Sequence, residues 1–171
     1  HIIRSSRFSV AILDGQETDE DLQKLSNDIF MYYGLGCRSV SKIYLPKDYD
    51  LDILFKQVYS WKDIINNSSY YNNYTYNKTI YLMSEEKFFD NGFLILKEST
   101  EIGSPIGVVF FEYYENDNTV IKSLKKYSEK IQCIVGKNIV ENSIEFGNTQ
   151  RPSLDDFADK INTLDFLLKL S

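Results

Sequence analysis

Phe30-Met-Tyr-Tyr-Gly-Leu-Gly-Cys-Arg-Ser-Val-Ser-Lys-Ile-Tyr-Leu45 is the stretch from which the rest of the chain can be read. An apolar stripe runs into it from Leu22, Leu25 and Ile29 at spacings of three and four, reaching Tyr32 or Tyr33, as on one face of a helix. Gly34 and Gly36 end that helix, and Val40 to Leu45 has the β-branched and aromatic composition of a strand. Helix, glycine turn, thiol and strand together hold a small side chain, Cys37, at the mouth of a cleft rather than inside a core. Glycines lack Cβ, so backbone amides and a substrate can approach closely at Gly34 and Gly36. A thiolate placed there can attack an acyl carbon while nearby N–H groups of the turn hold the developing oxyanion. Inert packing is the competing reading, because free cysteine is among the most buried residue types.

Outward from this stretch, strand and helix signals alternate. Phe8-Ser-Val-Ala-Ile-Leu13 reads as a buried strand stopped by Asp14-Gly15, and Thr18-Asp-Glu-Asp21 resembles a capping box that opens the first helix. Pro46 closes the Val40–Leu45 strand. Asp50 then caps a second helix with Leu51, Leu54, Val58 and Trp61 on one face. Residues 63 to 78 are polar and rich in Asn and Tyr, which reads as a surface loop or insertion, with a short helix from Lys78 to Glu86 after it. Strands are expected at Phe93 to Lys97 and Ile106 to Phe111, separated by Glu101-Ile-Gly-Ser-Pro-Ile-Gly107. A helix around Asp117 to Lys130 aligns Val120, Leu124, Tyr127 and Ile131, and Ile131-Gln-Cys-Ile-Val135 is a buried strand. Another strand is expected near Ile144 to Phe146, and Ser153 is expected to cap a final helical region bearing Leu154, Phe157, Ile161 and Phe166. This alternation predicts an α/β domain, a three-layer αβα arrangement with a largely parallel sheet covered on both faces. Cys37 is expected in an exposed or cleft-facing loop at the sheet edge.

Bulk properties narrow the chemistry. The chain has 171 residues, 43% hydrophobic and 26% charged, which is enough for one globular domain. Its formal charge of −6, from 19 basic and 25 acidic residues, argues against sequence-independent nucleic-acid binding, which needs a basic footprint. No apolar run approaches the ~20 residues of a membrane span. Two cysteines make no disulfide framework and point to a reducing, cytoplasmic setting. The glycosylation-type triplets at Asn66, Asn67, Asn73 and Asn77 are attributed to the Asn/Tyr-rich composition around them. His1 is the only histidine, so a Cys–His dyad has no internal base and no metal site can be assembled. Neither G-x-G-x-x-G nor a P-loop occurs. The opening His1-Ile-Ile-Arg-Ser-Ser-Arg7 lacks an initiator Met and a signal peptide, and reads as part of a longer protein. Cys133, inside a continuous strand, reads as a small core residue. Arg38 and Lys42 are the cations that could favour a Cys37 thiolate, with a solvent-facing Arg38 as the alternative.

Phe30-x-x-x-Gly34-x-x-Cys37-x-x-x-x-Lys42-x-x-x-Pro46 resembles the nucleophile segment of the aldehyde dehydrogenase superfamily. There a helix leads to an Asn-x-Gly-Gln-x-Cys turn, with a basic residue five positions beyond the cysteine. Leu35 stands here where Gln is usual, and Tyr32 where Asn is usual. Gly34-Leu-Gly-Cys-Arg38, preceded by Asp28-Ile-Phe30 and followed by Val40-Ser-Lys42, is similar to one branch, the acyl-CoA reductases related to the fatty-acid reductase of bacterial bioluminescence. Arg7 to Gly15, Tyr76 to Met83, Phe89 to Leu94, Ser104 to Val109, Glu112 to Glu115 and Phe146 to Leu154 support the same likeness, in order along nearly the whole chain.

The resemblance implies that residues 1–171 form the nucleophile-bearing catalytic domain of a two-domain enzyme. A nicotinamide-binding domain would precede His1, bind most of the NADPH or NADH, and supply a further oxyanion-hole amide. It implies reduction of a fatty acyl-CoA to aldehyde through an acyl-enzyme thioester on Cys37, and a homo-oligomeric full-length enzyme. Glu101 falls where the superfamily holds the cofactor ribose, with Gly103 in place of the usual Phe; a solvated turn carboxylate is the alternative. His1 falls near the position of the dehydrogenase general base. Two other readings remain open at this level. One is an aldehyde-oxidising dehydrogenase domain, which needs a deacylating water and a carboxylate base. The other is a non-catalytic α/β interaction module in which Cys37 only packs.

Overall fold

The computed structural model describes residues 6–136, 140, 143–154, 156–157 and 161–169. Six strands form one sheet: β1 (Phe8–Ile12), β2 (Val40–Pro46), β3 (Phe89–Asp90), β4 (Ile95–Glu98), β5 (Val108–Tyr114) and β6 (Ile131–Val135). Their spatial order is β3-β4-β5-β2-β1-β6, and every pairing is parallel except β3 with β4. Parallel neighbours need crossovers, and helices supply most of them: α1 (Asp19–Phe30) between β1 and β2, α2 (Leu51–Val58) and α3 (Ser68–Met83) between β2 and β3, and α4 (Asp117–Lys126) between β5 and β6, while β4 passes to β5 through residues 99–107 without a helix. The expected α/β, largely parallel architecture is therefore present.

The two faces are covered unequally. Ala11, Leu13, Ile43, Leu45, Phe111 and Val135 meet α1, α2 and α3 through Leu22, Leu25, Leu54, Val58, Tyr70 and Tyr74. On the opposite face Val10, Ile12, Tyr44, Tyr114 and Ile131 meet α4 through Val120 and Leu124. Among the described residues this is a three-layer domain, with a thick layer on one side and α4 on the other.

Local signals explain most element starts. Thr18 and Asp21 form a reciprocal capping box at the start of α1. The Asp50 side chain accepts from Asp52 N–H at the start of α2, and Asn116 accepts from Thr119 N–H at the start of α4. Beyond α2 the chain tightens into a 3-10 segment, Tyr59–Asn66, that stacks Trp61 on Phe30 at a centroid distance of 5.7 Å.

Four expectations are corrected. Residues 63–78 are not a loop: they enter the 16-residue helix α3, so Lys78 to Glu86 covers only the end of one helix. Its buried stripe is Tyr70, Tyr74, Asn77 and Tyr81, at helical spacing, but tyrosine and asparagine score as polar and hide the period. The strand begins at Ile95 rather than Phe93, because Asn91 Oδ1 takes the Phe93 and Leu94 amides into a turn. Around Ile144 there is a single parallel bridge to Val135, not a strand. Finally, Ser153 does not start a helix. Its carbonyl accepts from Asp156 N–H in a turn, Leu154 projects into solvent, and the terminal helix α5 is Thr163–Leu168, capped by Asn162.

Candidate active site

α1 ends at Phe30, and the backbone then runs left-handed through Tyr32 (φ 56°), Tyr33 (φ 60°) and Gly34 (φ 73°). Only glycine takes that conformation without steric cost, so two consecutive tyrosines there mark a turn imposed by its surroundings. The Leu35 amide closes it onto Tyr32 O at 3.1 Å, and Ser39 N–H to Gly36 O at 2.9 Å closes a second turn around Cys37 and Arg38. Gly34 needs its glycine for the backbone. Gly36 has an ordinary φ, and a Cβ there would meet only ordinary contacts, so neither backbone nor packing demands glycine at that position.

Cys37 is exposed. It lines an open cleft of ≈ 580 Å³ bounded by Gly34 to Cys37, by Ser6 to Phe8 at the entry to β1, and by Ser104 to Ile106 before β5, with Asn73 of α3 at the side. Among the described residues the Cys37 amide has no hydrogen-bond acceptor. Its carbonyl takes the Ser9 hydroxyl at 2.9 Å, and the same hydroxyl oxygen accepts the Cys133 amide at 3.2 Å. Ser9 thus ties the Cys37 turn to β1 and β6; the only hint in the sequence is one polar residue in an otherwise apolar strand.

The turn is not at a sheet edge, as was expected, but at the start of β2, an internal strand between β5 and β1. The cleft therefore lies at the amino ends of the parallel strands, the end opposite to the usual ligand crevice of open α/β sheets.

The two cations read as neighbours of the thiol are both anchored by other partners. Arg38 does not face solvent: its Nη1 donates to Cys133 Sγ at 3.3 Å and to Thr149 O at 3.1 Å, its Nη2 pairs with Asp156 at 2.5 Å, and the guanidinium lies close enough to interact electrostatically with Cys37 as well. Lys42 is fully buried and bonds Glu112 at 2.5 Å and Ser99 O at 2.9 Å. Burial pushes the Cys133 thiol up, with the Ser9 contact and Arg38 opposing. Cys133 is thus the packed thiol expected, with a guanidinium on its sulfur that the sequence did not suggest.

Glu101 is exposed, its amide bonded to Ser99 Oγ at 3.1 Å, and it does not line the cleft that holds Cys37, Gly34 and Gly36. Gly103 is replaced in space by Phe8: a Cβ at 103 would stand 2.2 Å from the Phe8 ring, which itself lines the cleft. His1 lies outside the described residues. No group of three His, Cys, Asp or Glu among the described residues could hold a metal ion, and no helix among them is long and apolar enough to cross a membrane.

Solved structures that this fold resembles include aldehyde dehydrogenases. The indole-3-acetaldehyde dehydrogenase AldA of P. syringae, solved with NAD+ and IAA, superposes with a TM-score of 0.54 at 7% identity, over 77% of this chain and 33% of that one. The fold is aldehyde-dehydrogenase-like. The NAD-dependent aldehyde dehydrogenase of Sinorhizobium meliloti (TM-score 0.52, 8% identity, 85% of this chain and 35% of that one) has the same fold. So does the aldehyde dehydrogenase KauB of Pseudomonas aeruginosa (0.52, 9%, 76% and 33%). The chain spans about a third of the length of these structures. No protein-family model matches the sequence, and no curated protein matches it.

The described residues do not by themselves fit the dinucleotide that this fold family uses. The cleft has one cationic side chain, Arg7, and no glycine-rich phosphate turn. Helices α1, α2 and α4 start at the carboxyl ends of the strands, away from Cys37, and carry Asp19, Glu20, Asp21, Asp52 and Asp117 in their first turns, where they would repel a pyrophosphate. Helix α3 starts on the cleft side, but its Asn67 cap already takes the Tyr70 amide.

Proposed function

We propose that this chain is the catalytic domain of a cytoplasmic acyl-CoA reductase and that Cys37 is its nucleophile. The observation that carries the reading is an exposed thiol with an unpaired backbone amide in an open cleft of an aldehyde-dehydrogenase-like fold. The Cys37 thiolate attacks the thioester carbonyl carbon and a new S–C bond forms. The carbonyl electron pair moves onto oxygen, where the Cys37 N–H can hold it. The C–S bond to coenzyme A then breaks, and the leaving thiolate takes up the proton that Cys37 gave up. Release of the aldehyde requires hydride from NADPH or NADH, which the proposal assigns to a further domain rather than to these residues.

Aldehyde oxidation is the second reading, favoured by the names of the structural neighbours. It requires hydrolysis of the acyl-enzyme by a water with a carboxylate base, and no carboxylate is among the residues lining the cleft. The acyl-enzyme formed here is accordingly expected to persist.

Incubation of the chain with a long-chain acyl-CoA, followed by intact-mass and peptide mapping, tests this. The expected result is slow appearance of one acyl group on Cys37, release of coenzyme A thiol, and no oxidation of added NADPH. An absent oxyanion-hole donor alone slows such a step by about 10²–10³. Cys37→Ala should abolish the adduct and Cys133→Ala should not. Wild-type acylation confined to another residue, or adduct formation undiminished in Cys37→Ala, would overturn the assignment.

A further inference from the structure

Asp28 is a carboxylate on α1, 1% exposed, whose hydrogen-bond partners are three uncharged donors. Its Oδ2 accepts the Gly147 amide at 2.6 Å, and its Oδ1 accepts the Thr149 amide at 3.1 Å and the Thr149 hydroxyl at 2.8 Å. Burial pushes its carboxyl up, while the Gly147 and Thr149 hydrogen bonds pull it back. Burying a carboxylate without a counter-ion is costly, so the contact needs a reason beyond packing. What it holds is a segment some 120 residues away in sequence, and that segment clasps the nucleophile turn.

The clasp has two arms. The Thr149 carbonyl accepts Arg38 Nη1 at 3.1 Å, and the Gln150 amide nitrogen reaches Ser39 Oγ at 3.4 Å. Arg38 and Ser39 are the two residues directly after Cys37, and Ser39 N–H closes the turn that presents it. Thr149 is fully buried and Gly147 is left-handed at φ 85°, so the segment has a defined shape to transmit. Ser9 holds the same turn from the other side through the Cys37 carbonyl.

We propose that Asp28 is a positioning residue for Cys37: it pins Gly147–Gln150, and that segment fixes Arg38 and Ser39 so that the thiol and the free Cys37 amide face the cleft. Asp28 touches neither substrate nor the reacting atoms. Only an acceptor with two oxygens and no donor satisfies all three bonds. Asn would keep the shape but turn an NH₂ onto the Gly147 or the Thr149 donors. The inference rests on the reading of Cys37 as the nucleophile, but not on the identity of its substrate.

The test uses the whole chain with Asp28→Asn and Thr149→Val. In each, alkylation of Cys37 and Cys133 by iodoacetamide is timed by peptide mapping under conditions where circular dichroism shows the native fold. Exchange of the Gly147 and Thr149 amides is followed alongside. The expected result is faster exchange at both amides and a change in the Cys37 alkylation rate of about threefold or more, with Cys133 still slow; misplacement of a reacting group by an ångström has effects of at least that size. A merely structural role would instead lower the melting temperature and speed Cys133 through global unfolding, leaving the native Cys37 rate within about twofold of wild type, and that outcome in a folded variant would overturn the proposal. Should Asp28→Asn fail to fold, Thr149→Val, which removes one hydroxyl and keeps the backbone bond, decides by the same criterion. A Cys37 that alkylates readily and responds to both variants, yet is never acylated by acyl-CoA, would sink the proposed function while leaving this inference standing.

Discussion

Lys42 and Glu112 make the most consequential ion pair in the sheet, and its two ends are not equivalent. The Lys42 ammonium is fully buried, whereas the Glu112 side chain is 28% exposed. Removing the carboxylate strands a charge that water cannot reach; removing the ammonium leaves a carboxylate that partly rehydrates. Glu112→Gln is therefore expected to cost about 3–5 kcal/mol, the usual penalty for an orphaned buried charge, and Lys42→Met clearly less. Urea unfolding of both variants checks the order, and equal losses would contradict it. From sequence, Lys42 reads as a neighbour of the thiol because it lies five residues beyond Cys37. Within β2, however, Lys42 shares a face with Tyr44, its Nζ 4.9 Å from that ring, while the Cys37 turn opens at the strand's amino end. Spacing along a chain gives a face of a strand only when the register is known. The exposed, glycine-flanked setting of Cys37 was legible; the partners of Arg38 were not, because Thr149 and Asp156 lie more than a hundred residues away.

Helices α1 and α3 mark the two extremes of what local pattern conveys. α1 announces itself through Thr18 with Asp21 and through the Leu22, Leu25 and Ile29 stripe, and the structure places all of these as the pattern requires. α3 has no comparable contrast. Its inner face is tyrosine and asparagine, and its outer face carries Tyr71, Tyr76 and Ile80, so neither side is distinctly apolar or charged. What locks it are specific polar contacts: Tyr70 OH to Phe93 O at 2.9 Å, Tyr74 OH to Asp90 at 2.7 Å, and the Asn77 amide to Ile106 O at 3.0 Å. The Asn77 triplet is thus part of the helix packing, with its side-chain nitrogen already engaged. Long-range contacts of this kind leave no periodic trace in a sequence. A helix with so little amphipathic drive depends on its start, and Asn67 supplies the cap to Tyr70 N–H. Asn67→Ala should lower stability by about 1 kcal/mol, with Asn67→Asp close to wild type. Thermal melts of the three proteins decide; an Ala variant as stable as wild type would show that α3 is held by packing alone.

At the scale of the molecule, the crowded sheet face and the tyrosine-rich helix layer fix how the fold responds to alkali. Burial pushes Tyr44, Tyr74 and Tyr114 up to about 12, and raises Tyr49 and Tyr70 further still. Three of these hydroxyls are held by specific contacts. Tyr44 OH meets Ser123 of α4 at 2.7 Å, Tyr114 OH donates to Leu13 O at 2.6 Å, and Tyr70 OH donates to Phe93 O. In the unfolded chain a tyrosine ionises near pH 10. Between there and the raised values the folded state binds more protons than the unfolded one, so stability must fall as pH rises. The stabilising effect is whole below about pH 10 and drains away through about pH 12 for Tyr44, Tyr74 and Tyr114. The expected record is biphasic: tyrosinate absorbance from exposed rings appears first with the fold intact, and the remainder appears together with loss of far-ultraviolet dichroism. The urea midpoint should already decline before the second phase. If all 13 tyrosines titrated in one step near pH 10 while the dichroism stayed native, the buried junctions would not be holding these hydroxyls, and the packing of α3 and α4 on the sheet would have to be reconsidered.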